Sequence, residues 1–527
     1  MQKFIAKHQG QIAGVLSGFD RLVLRGTLRS IVSPGGMRQY LARNNVLLAD
    51  FGEHVQRVST RLKTASVAEA HALGRPVHYL SSASVSKEKL AQRIAAQDGI
   101  TAGLVCVLTC VEPCRTFEIY RDRATYGLRL QPRIRKCLFI YHYRIHPVFG
   151  WLNARIQTWF PFSTQMCLNG RAWLAQQMDA QGLAYVRHDN CFPWIEDWSQ
   201  AQRLMDQQLS ADWPSLLNDI ARSLNPIHDQ IFSAYPSAYY WSTYQSEWAI
   251  DLSFRNANDL RQLYPRLLEH AIVSLGSTDI MRFLGRRVPL SGEVPTRFTG
   301  EVVSDLRQRQ EGVRIKHHLN TNSLKLYDKA FTQVGSVLRA ETTFNNVDDF
   351  RVYRPKEGHA DADDLAWRPM RRGIADLPRR AEVARKAAER YLDALASVDE
   401  DTTLSAVLQR LDQPRYWHGR RVRALHPFDP QDRQLLQLIS RGEFTLNGLR
   451  NRDLQRLYFA QAPATPDQAR CRSAWVTRKL RLLRAHGLIY KITHTHRYQL
   501  TKAGRAITTA ILTALHSTPR QLAMIAA

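Results

Sequence analysis

The sequence predicts an α+β multi-domain protein: a mixed α/β N-terminal region, an antiparallel central sheet, and a C-terminal unit of helix, hairpin and helix. Three observations predict it. At 527 residues the chain is long enough for three or four domains of ordinary size. Helical and strand periodicities alternate over the first 230 residues, which argues against a helical bundle. Between Thr296 and Phe344, four short alternating segments joined by polar turns read as an antiparallel sheet. The expected divisions are 1–230 for the N-terminal region with a basic-aromatic hairpin, 231–355 for the central sheet, 356–428 for a linker and charged helix, and 429–527 for the C-terminal unit.

Composition is that of a globular protein, 44% apolar and 23% charged, but the net charge of +26 is unusual. A charge of that size attracts a polyanion, and nucleic acid is the usual one. DNA is the first expectation and RNA the second. Residues 431–527 carry 16 Lys and Arg against 4 Asp and Glu, so they hold +12 of the total and leave +14 on the first 430. That remainder exceeds what a small-molecule sensor needs. The first residues hold only a short apolar piece, Ile12–Leu16, and no spanning run is visible, so a cytoplasmic protein without a membrane partner is expected. Seven Cys with no small-domain pattern fit reduced thiols. Cys106 and Cys110 lie in the apolar run GLVCVLTCV and read as core, since zinc sites usually carry paired C-x2-C units.

In chain order, residues 1–16 read as helix, Phe19–Gly26 as strand, and Gly36–Asn45, Val55–Leu73 and Ser86–Gln97 as helices, the last opening on a capping Ser. Val77–Leu80, Gly103–Val111, Thr116–Arg121 and Gly127–Gln131 read as strands. Lys136–Phe162 alternates on both sides of a Pro147–Gly150 turn. Phe139, Tyr141 and Tyr143 share one face of the first strand, and His142, Arg144 and His146 the other; Arg155, Gln157 and Trp159 oppose Leu152, Ala154 and Ile156 on the second. This predicts a hairpin with one aliphatic-aromatic face and one basic, aromatic and histidine face. Two readings fit: a core hairpin, or a nucleic-acid surface in which Arg144 and Arg155 meet phosphates. Leu168–Gln181, Trp194–Leu209, Asp212–Leu224, Leu260–Leu275 and Thr278–Leu284 follow as helices, and Asp376–Ala396 as a charged spacer or packing arm.

In the central sheet, parity puts Lys325, Tyr327 and Lys329 on one strand face, and Arg339 and Glu341 on one face of the next. A Tyr beside two Lys can be held as phenolate, and carboxylates can hold a divalent metal, Mg or Mn, against a phosphate. The candidate catalytic residues are therefore Tyr327, Asp328 and Glu341. The run K-L-Y-D-K followed by L-R-x-E resembles a stretch of plasmid and phage rolling-circle replication initiators, and the resemblance implies a nicking tyrosine. The sequence departs from that family in lacking a His-apolar-His strand just upstream; His317-His318 and His142/His146 are wrongly spaced. A second candidate set is the scattered carboxylates Asp20, Glu247, Asp251, Asp305, Asp328 and Glu341, since metal nucleases and transposases assemble two to four acids from distant segments. No phosphate-cradling Gly loop, GK[ST] element or G-x-S-x-G elbow is present, which argues against nucleotide hydrolysis and a serine triad.

At the C-terminus, Val476, Leu480 and Leu483 recur at helical spacing, Gly487 ends the helix, Leu488–Ile492 and Arg497–Leu500 alternate as strands, and Thr501 caps another helix. Helix, two-stranded wing and helix is the winged-helix plan, a helix-turn-helix variant. S-x-x-V-T-R-x-L-x-x-L, then G-L-I, an R-Y wing strand and L-T-x-x-G resemble the MarR-like winged-helix regulators. The expected nucleic-acid contacts are Arg472, Arg478, Lys479, Arg481 and Arg484 on the recognition helix, and Lys491, His494, His496 and Arg497 on the wing. Winged-helix proteins often pair, so a homodimer is compatible, although no dimer helix is identifiable. The whole chain is similar to a set of uncharacterised bacterial proteins sharing the Gly18-Phe19-Asp20-Arg21 start, the Gln157–Phe162 hairpin and this ending, a resemblance that implies no activity. The expectation is a DNA-binding protein associated with a mobile element. The alternatives are a metal-dependent nickase, replication initiator or transposase-like enzyme, and a large winged-helix transcriptional regulator.

Overall fold

The computed structural model describes residues 1–285, 301–309, 312–330, 336–348, 350–356, 364–396, 404–441, 444, 448–459, 461–492 and 495–518. Its strands are β1 (Ile12–Leu28), β2 (Val77–Leu80), β3 (Gly103–Arg121), β4 (Leu128–His146), β5 (Gly150–Gln157), β6 (Thr164–Asn169), β7 (Tyr185–His188), β8 (Cys191–Ile195), β9 (Tyr239–Phe254), β10 (Val302–Arg309), β11 (Gly312–Leu319), β12 (Asn322–Ala330) and β13 (Ser336–Phe344). Eleven of them form one mixed sheet in the order β10-β11-β12-β13-β9-β1-β6-β5-β4-β3-β2, while β7 and β8 make a separate hairpin. Every pair in the large sheet is antiparallel except β2–β3.

The sheet crosses the expected 230/231 division. The antiparallel strands after residue 300 are one wing of it, joined through β9 to β1. Periodicity marks each strand but carries no information on which distant strand it pairs with. The N-terminal helix is also shorter than expected, Gln2–Lys7, and strand begins at Ile12. Gly10, Gly14 and Gly18 weaken a helix there. Gly14 and Gly18 instead admit a helix onto β1: a Cβ at Gly14 would lie 2.1 Å from the ring of Trp198, and one at Gly18 2.3 Å from Met205.

Helices α1 (Gln2–Lys7), α2 (Pro34–Arg43), α3 (Phe51–Ala72), α4 (Lys87–Gln97), α5 (Gly170–Gln181), α6 (Trp198–Asp206), α7 (Trp213–Leu224), α8 (His228–Ile231), α9 (Ala257–Val273), α10 (Ser277–Phe283) and α11 (Leu377–Leu395) surround the sheet. Helix α11, expected as a spacer or a packing arm, packs into the main core. Its Ala381, Ala384, Ala388 and Leu392 are buried, and Arg380 is buried while donating to Ser246 Oγ (2.7 Å) and the carbonyl of Thr243 (3.2 Å) on β9. An alanine face looks neutral in sequence yet lets a helix lie close on a sheet. One apolar core runs from Phe4 to Leu395, and a second from Leu411 to Ile511.

The second core is built from α12 (Leu404–Leu411), α13 (Pro430–Ile439), α14 (Asn451–Tyr458), α15 (Pro466–Ala485) and α16 (Lys502–His516), with a three-stranded sheet of Leu449–Arg450, Arg497–Leu500 and Ile489–Lys491 in that spatial order. Thr465 caps α15 with Pro466 at its first position, Gly487 follows it at φ +71°, and Thr501 caps α16 through Gly504 N (2.7 Å). No helix of the described residues is long and apolar enough to cross a membrane.

The hairpin of β4 and β5 forms, but its faces differ from the expectation. Cross-strand pairing sets Tyr141 against Arg155 and His142 against Ala154. Arg155 therefore lies on the aromatic face, whereas Arg144 lies on the opposite one, where it pairs with Glu69 of α3 beside the fully buried His142. The two arginines do not share a surface.

Candidate metal centre

The polar face of the sheet carries an unusual density of charge where β1, β9, β13 and β12 lie side by side. The pairing β1–β9 slips between Phe19 and Arg21, so Asp20 is the extra residue of a bulge. Phe19 stays on the apolar face, edge-on to Trp248 at 5.0 Å, while Arg21 stands opposite Glu247. A bulge re-aims a side chain in this way, and here it turns Asp20 toward the polar face. On β13, Thr343 pairs with Glu247, Glu341 with Ala249 and Arg339 with Asp251; on β12, Lys325 pairs with Glu341 and Tyr327 with Arg339. Strand parity thus gathers Asp20, Glu247, Asp251, Glu341, Arg339, Lys325 and Tyr327 at one place.

Asp20, Glu247 and Glu341 each offer a carboxylate oxygen within 4.8 Å of the others. Two oxygens bound to one cation at about 2.1–2.4 Å are at most about 4.2–4.8 Å apart, so the spacing fits a hard divalent cation after small side-chain motion. All-oxygen donors suit Mg, Mn or Ca rather than zinc. Asp20 and Glu341 are buried and Glu247 is half-buried.

A buried scaffold holds the trio. Asp251 takes two bonds from Arg339 (2.5 and 2.8 Å) and two from Arg171 (3.1 and 2.8 Å); Arg339 also reaches Asp20 (3.2 Å) and the Asn190 carbonyl (2.7 Å). Arg171 stands at the start of α5, where Asn169 caps Arg171 N and Ala172 N at 2.8 and 2.9 Å. Asn190, from the turn between β7 and β8, donates to Asp20 (3.1 Å) and accepts from Lys329 (2.6 Å). Glu341 accepts from both Lys325 and Tyr327. Glu247 accepts from Gln245 (2.9 Å), and no Lys or Arg of the described residues pairs with it.

Burial raises the Asp20 carboxyl above its ordinary value despite Arg339 and Arg171. Burial, then the neighbouring Glu341, raises Glu247. Asp251 and Glu341 fall below theirs, because the cations beside them outweigh burial. Arg171, Arg339, Lys325 and, opposite Glu247, Arg21 balance the four acids in number, yet the Asp20 and Glu247 carboxyls stay raised. A cation would favour the charged form of both.

Tyr327 and Glu341 are brought together as expected, but not in the expected relation. Tyr327 is buried with its hydroxyl donating to a carboxylate, and burial and Glu341 push it well above the ordinary tyrosine value. That opposes a phenolate nucleophile. Asp328 lies on the other strand face, bonded by Ser336 (2.9 Å), outside the site. Asp305 pairs with Arg307 two strands away. Arg171 and Asn190 had no signal in sequence, because each reaches the site from a segment defined only by the fold.

In the C-terminal unit, Arg478, Arg481, Lys491 and His496 are exposed, and Arg472, Arg484 and Arg497 are half-buried. Arg472 and Arg484 lie over the rings of Phe459 (4.6 Å) and Trp417 (4.9 Å). Lys479 is buried, with Nζ 3.5 Å from Asp432 and over Trp475, so it cannot meet a nucleic acid as expected. Its position on α15 faces the core beside Val476 and Leu480. His494 lies outside the described residues. Cys106, Cys110, Cys114 and Cys137 are buried. No family model, curated protein or solved structure matches the chain.

Proposed function

We propose that the protein is a nucleic-acid-processing enzyme in which Asp20, Glu247 and Glu341 hold a divalent cation, Mg or Mn, against a phosphodiester. The observation that carries this reading is the convergence of three carboxylates from three adjacent strands, one delivered by a bulge and one without a salt-bridge partner among the described residues. A cation there would stabilise charge developing on the phosphate, while Arg339, Arg171 and Lys325 fix the acids in place. Tyr327 serves as a buried donor that orients Glu341, and water is the nucleophile. The helix–hairpin–helix order of the C-terminal unit, its exposed Arg478, Arg481 and Lys491, and its net charge support a winged helix that grips DNA. A binding-only role is the second reading, favoured by the Lys325 and Tyr327 contacts that already occupy Glu341.

Incubation with supercoiled plasmid and a labelled single strand, with Mg²⁺, Mn²⁺ or chelator, separates the two. The enzyme reading expects cation-dependent nicks that Glu247→Gln abolishes, with no label retained on the denatured protein. A native mobility shift without cleavage in any cation would leave the binding-only role.

A further inference from the structure

A cavity of about 610 Å³ opens at the root of the long β3–β4 arm, lined from β1, β3, β4, β5 and β6. That size is within the ~300–1,000 Å³ of ligand pockets. Its wall includes Arg25 of β1, Arg115 of β3 and Arg155 of β5, with Gln165 and Phe139. Arg25 pairs with Gln165 on β6, and Gln165 with Arg155 on β5, so the three side chains stand in one row across the sheet. Arg21, opposite Glu247, is four residues along β1 from Arg25 and has the same parity. At ~3.3 Å per residue the cavity lies about 13 Å from the trio along the strand.

The cations that line the cavity are not all spent. Arg155 is fixed by Glu112 (3.0 Å), the Tyr141 hydroxyl (2.8 Å) and Gln165 (3.0 Å). Arg25 lies over the ring of Tyr244 at 4.4 Å, and neither it nor Arg115 has a carboxylate partner among the described residues. Burial, with Arg155 and Arg372 nearby, disfavours the charge on Arg25. Like charges facing one half-enclosed space are relieved by an anion. The floor is rigid: Gln157 donates to the carbonyls of Arg115 (2.9 Å), Trp159 (2.8 Å) and Phe160 (3.1 Å), and prolines 34, 113, 132 and 161 line the wall. A guanidinium pair in a stiff cavity fits phosphate geometry.

We propose that this cavity seats a backbone phosphate of the nucleic-acid strand between Arg25 and Arg115, anchoring that strand about 13 Å from the carboxylate trio as measured along β1. The assignment rests on the proposed function for its ligand class and gives that site its substrate path. The distance spans roughly four stacked nucleotides at ~3.4 Å each.

The test is fluorescence anisotropy of the full chain with a labelled 12-mer of thymidylate, in EDTA, across a salt series. The double substitution Arg25→Ala/Arg115→Ala is expected to weaken binding about tenfold or more, and to reduce the log–log salt slope by about 1.4, two contacts at ~0.7 each for single strands. Arg25→Lys/Arg115→Lys should recover much of the affinity, which excludes misfolding as the cause. The control Lys3→Ala/Arg203→Ala, of equal charge change on other surfaces, should stay within about twofold. Equal loss in the control and the double variant would overturn the proposal. So would an unmoved 12-mer affinity with protection by inorganic phosphate or thymidine monophosphate that the double variant loses, since that pattern marks a free-phosphate site. Chelator keeps this result apart from the proposed catalysis. Lost binding in the double variant, with no cleavage by the wild type, supports the cavity and sinks the enzyme reading; cleavage with unaltered binding does the reverse.

Discussion

Replacing Glu247 by Gln removes the one carboxyl of the trio to which no Lys or Arg of the described residues is hydrogen-bonded or salt-bridged. At the outer spacing of 4.8 Å, two like charges repel by about 3.5 kcal/mol in an effective dielectric of about 20. Glu247 faces two such neighbours, Glu341 and Asp20, with Lys325 and Arg21 offsetting part of the repulsion. A net penalty of order 1–3 kcal/mol remains. In chelator, Glu247→Gln should therefore raise the unfolding free energy by that amount, where most substitutions at a half-buried site lower it. Mn²⁺ at ten times its dissociation constant should stabilise the wild type by about 1.4 kcal/mol and the variant by none. The pH dependence has a defined sign. Glu247 titrates above the ordinary 4.5, so the native state is penalised once the pH exceeds that of the unfolded group. The gap between variant and wild type should be widest above the raised value and close as the pH falls toward 4.5, where a protonated Glu carries the same charge as Gln. Urea unfolding followed by far-UV circular dichroism reads all three. A variant less stable than wild type in chelator, or a wild type indifferent to Mn²⁺, would refute the reasoning.

Four further outcomes are expected. Tyr327→Phe should cost about 1.5–3 kcal/mol of stability, the worth of a bond to a charged acceptor, while cation-dependent cleavage persists on a denaturing gel. Lys479→Met should lower the thermal midpoint but leave DNA affinity within twofold, because Lys479 faces Asp432 and the core. Arg478→Ala or Arg481→Ala should instead weaken duplex binding by about 1–3 kcal/mol where the lost contact is to a base, read by anisotropy. His142 is fully buried, and burial lowers it from 6.5 to about 3. Its contribution is present above pH 6.5 and lost as the pH falls toward 3, by up to about 1.4 kcal/mol per pH unit, and His142→Leu should make the acid limb of the unfolding profile shallower.

Strand parity was legible in the sequence. Lys325, Tyr327 and Glu341 were expected on faces that the structure does bring together, and Asp20, Glu247 and Glu341 were all among the scattered acids. The choice among those acids was not legible. It depends on β9 lying between β1 and β13, and on a one-residue bulge that turns Asp20, and neither leaves a local trace. The nucleophile reading of Tyr327 meets a related limit: periodicity gives a face, only packing tells whether that face meets water, and Tyr327 is buried against Glu341. Lys479 illustrates the same limit on a helix, where a lysine among arginines looked solvated but closes the core through Asp432. For the β4–β5 hairpin, each strand's alternation was right, and the register between them put Arg144 and Arg155 on opposite sides.

Titration of the protein with Mn²⁺, followed by the electron paramagnetic resonance of the free ion, tests the central claim most directly. Depletion of free Mn²⁺ by the wild type, lost in Asp20→Asn, Glu247→Gln and Glu341→Gln and retained in Asp328→Asn and Asp305→Asn, is the predicted result. Equal depletion by all five variants, or none by the wild type, would contradict a cation site at the trio.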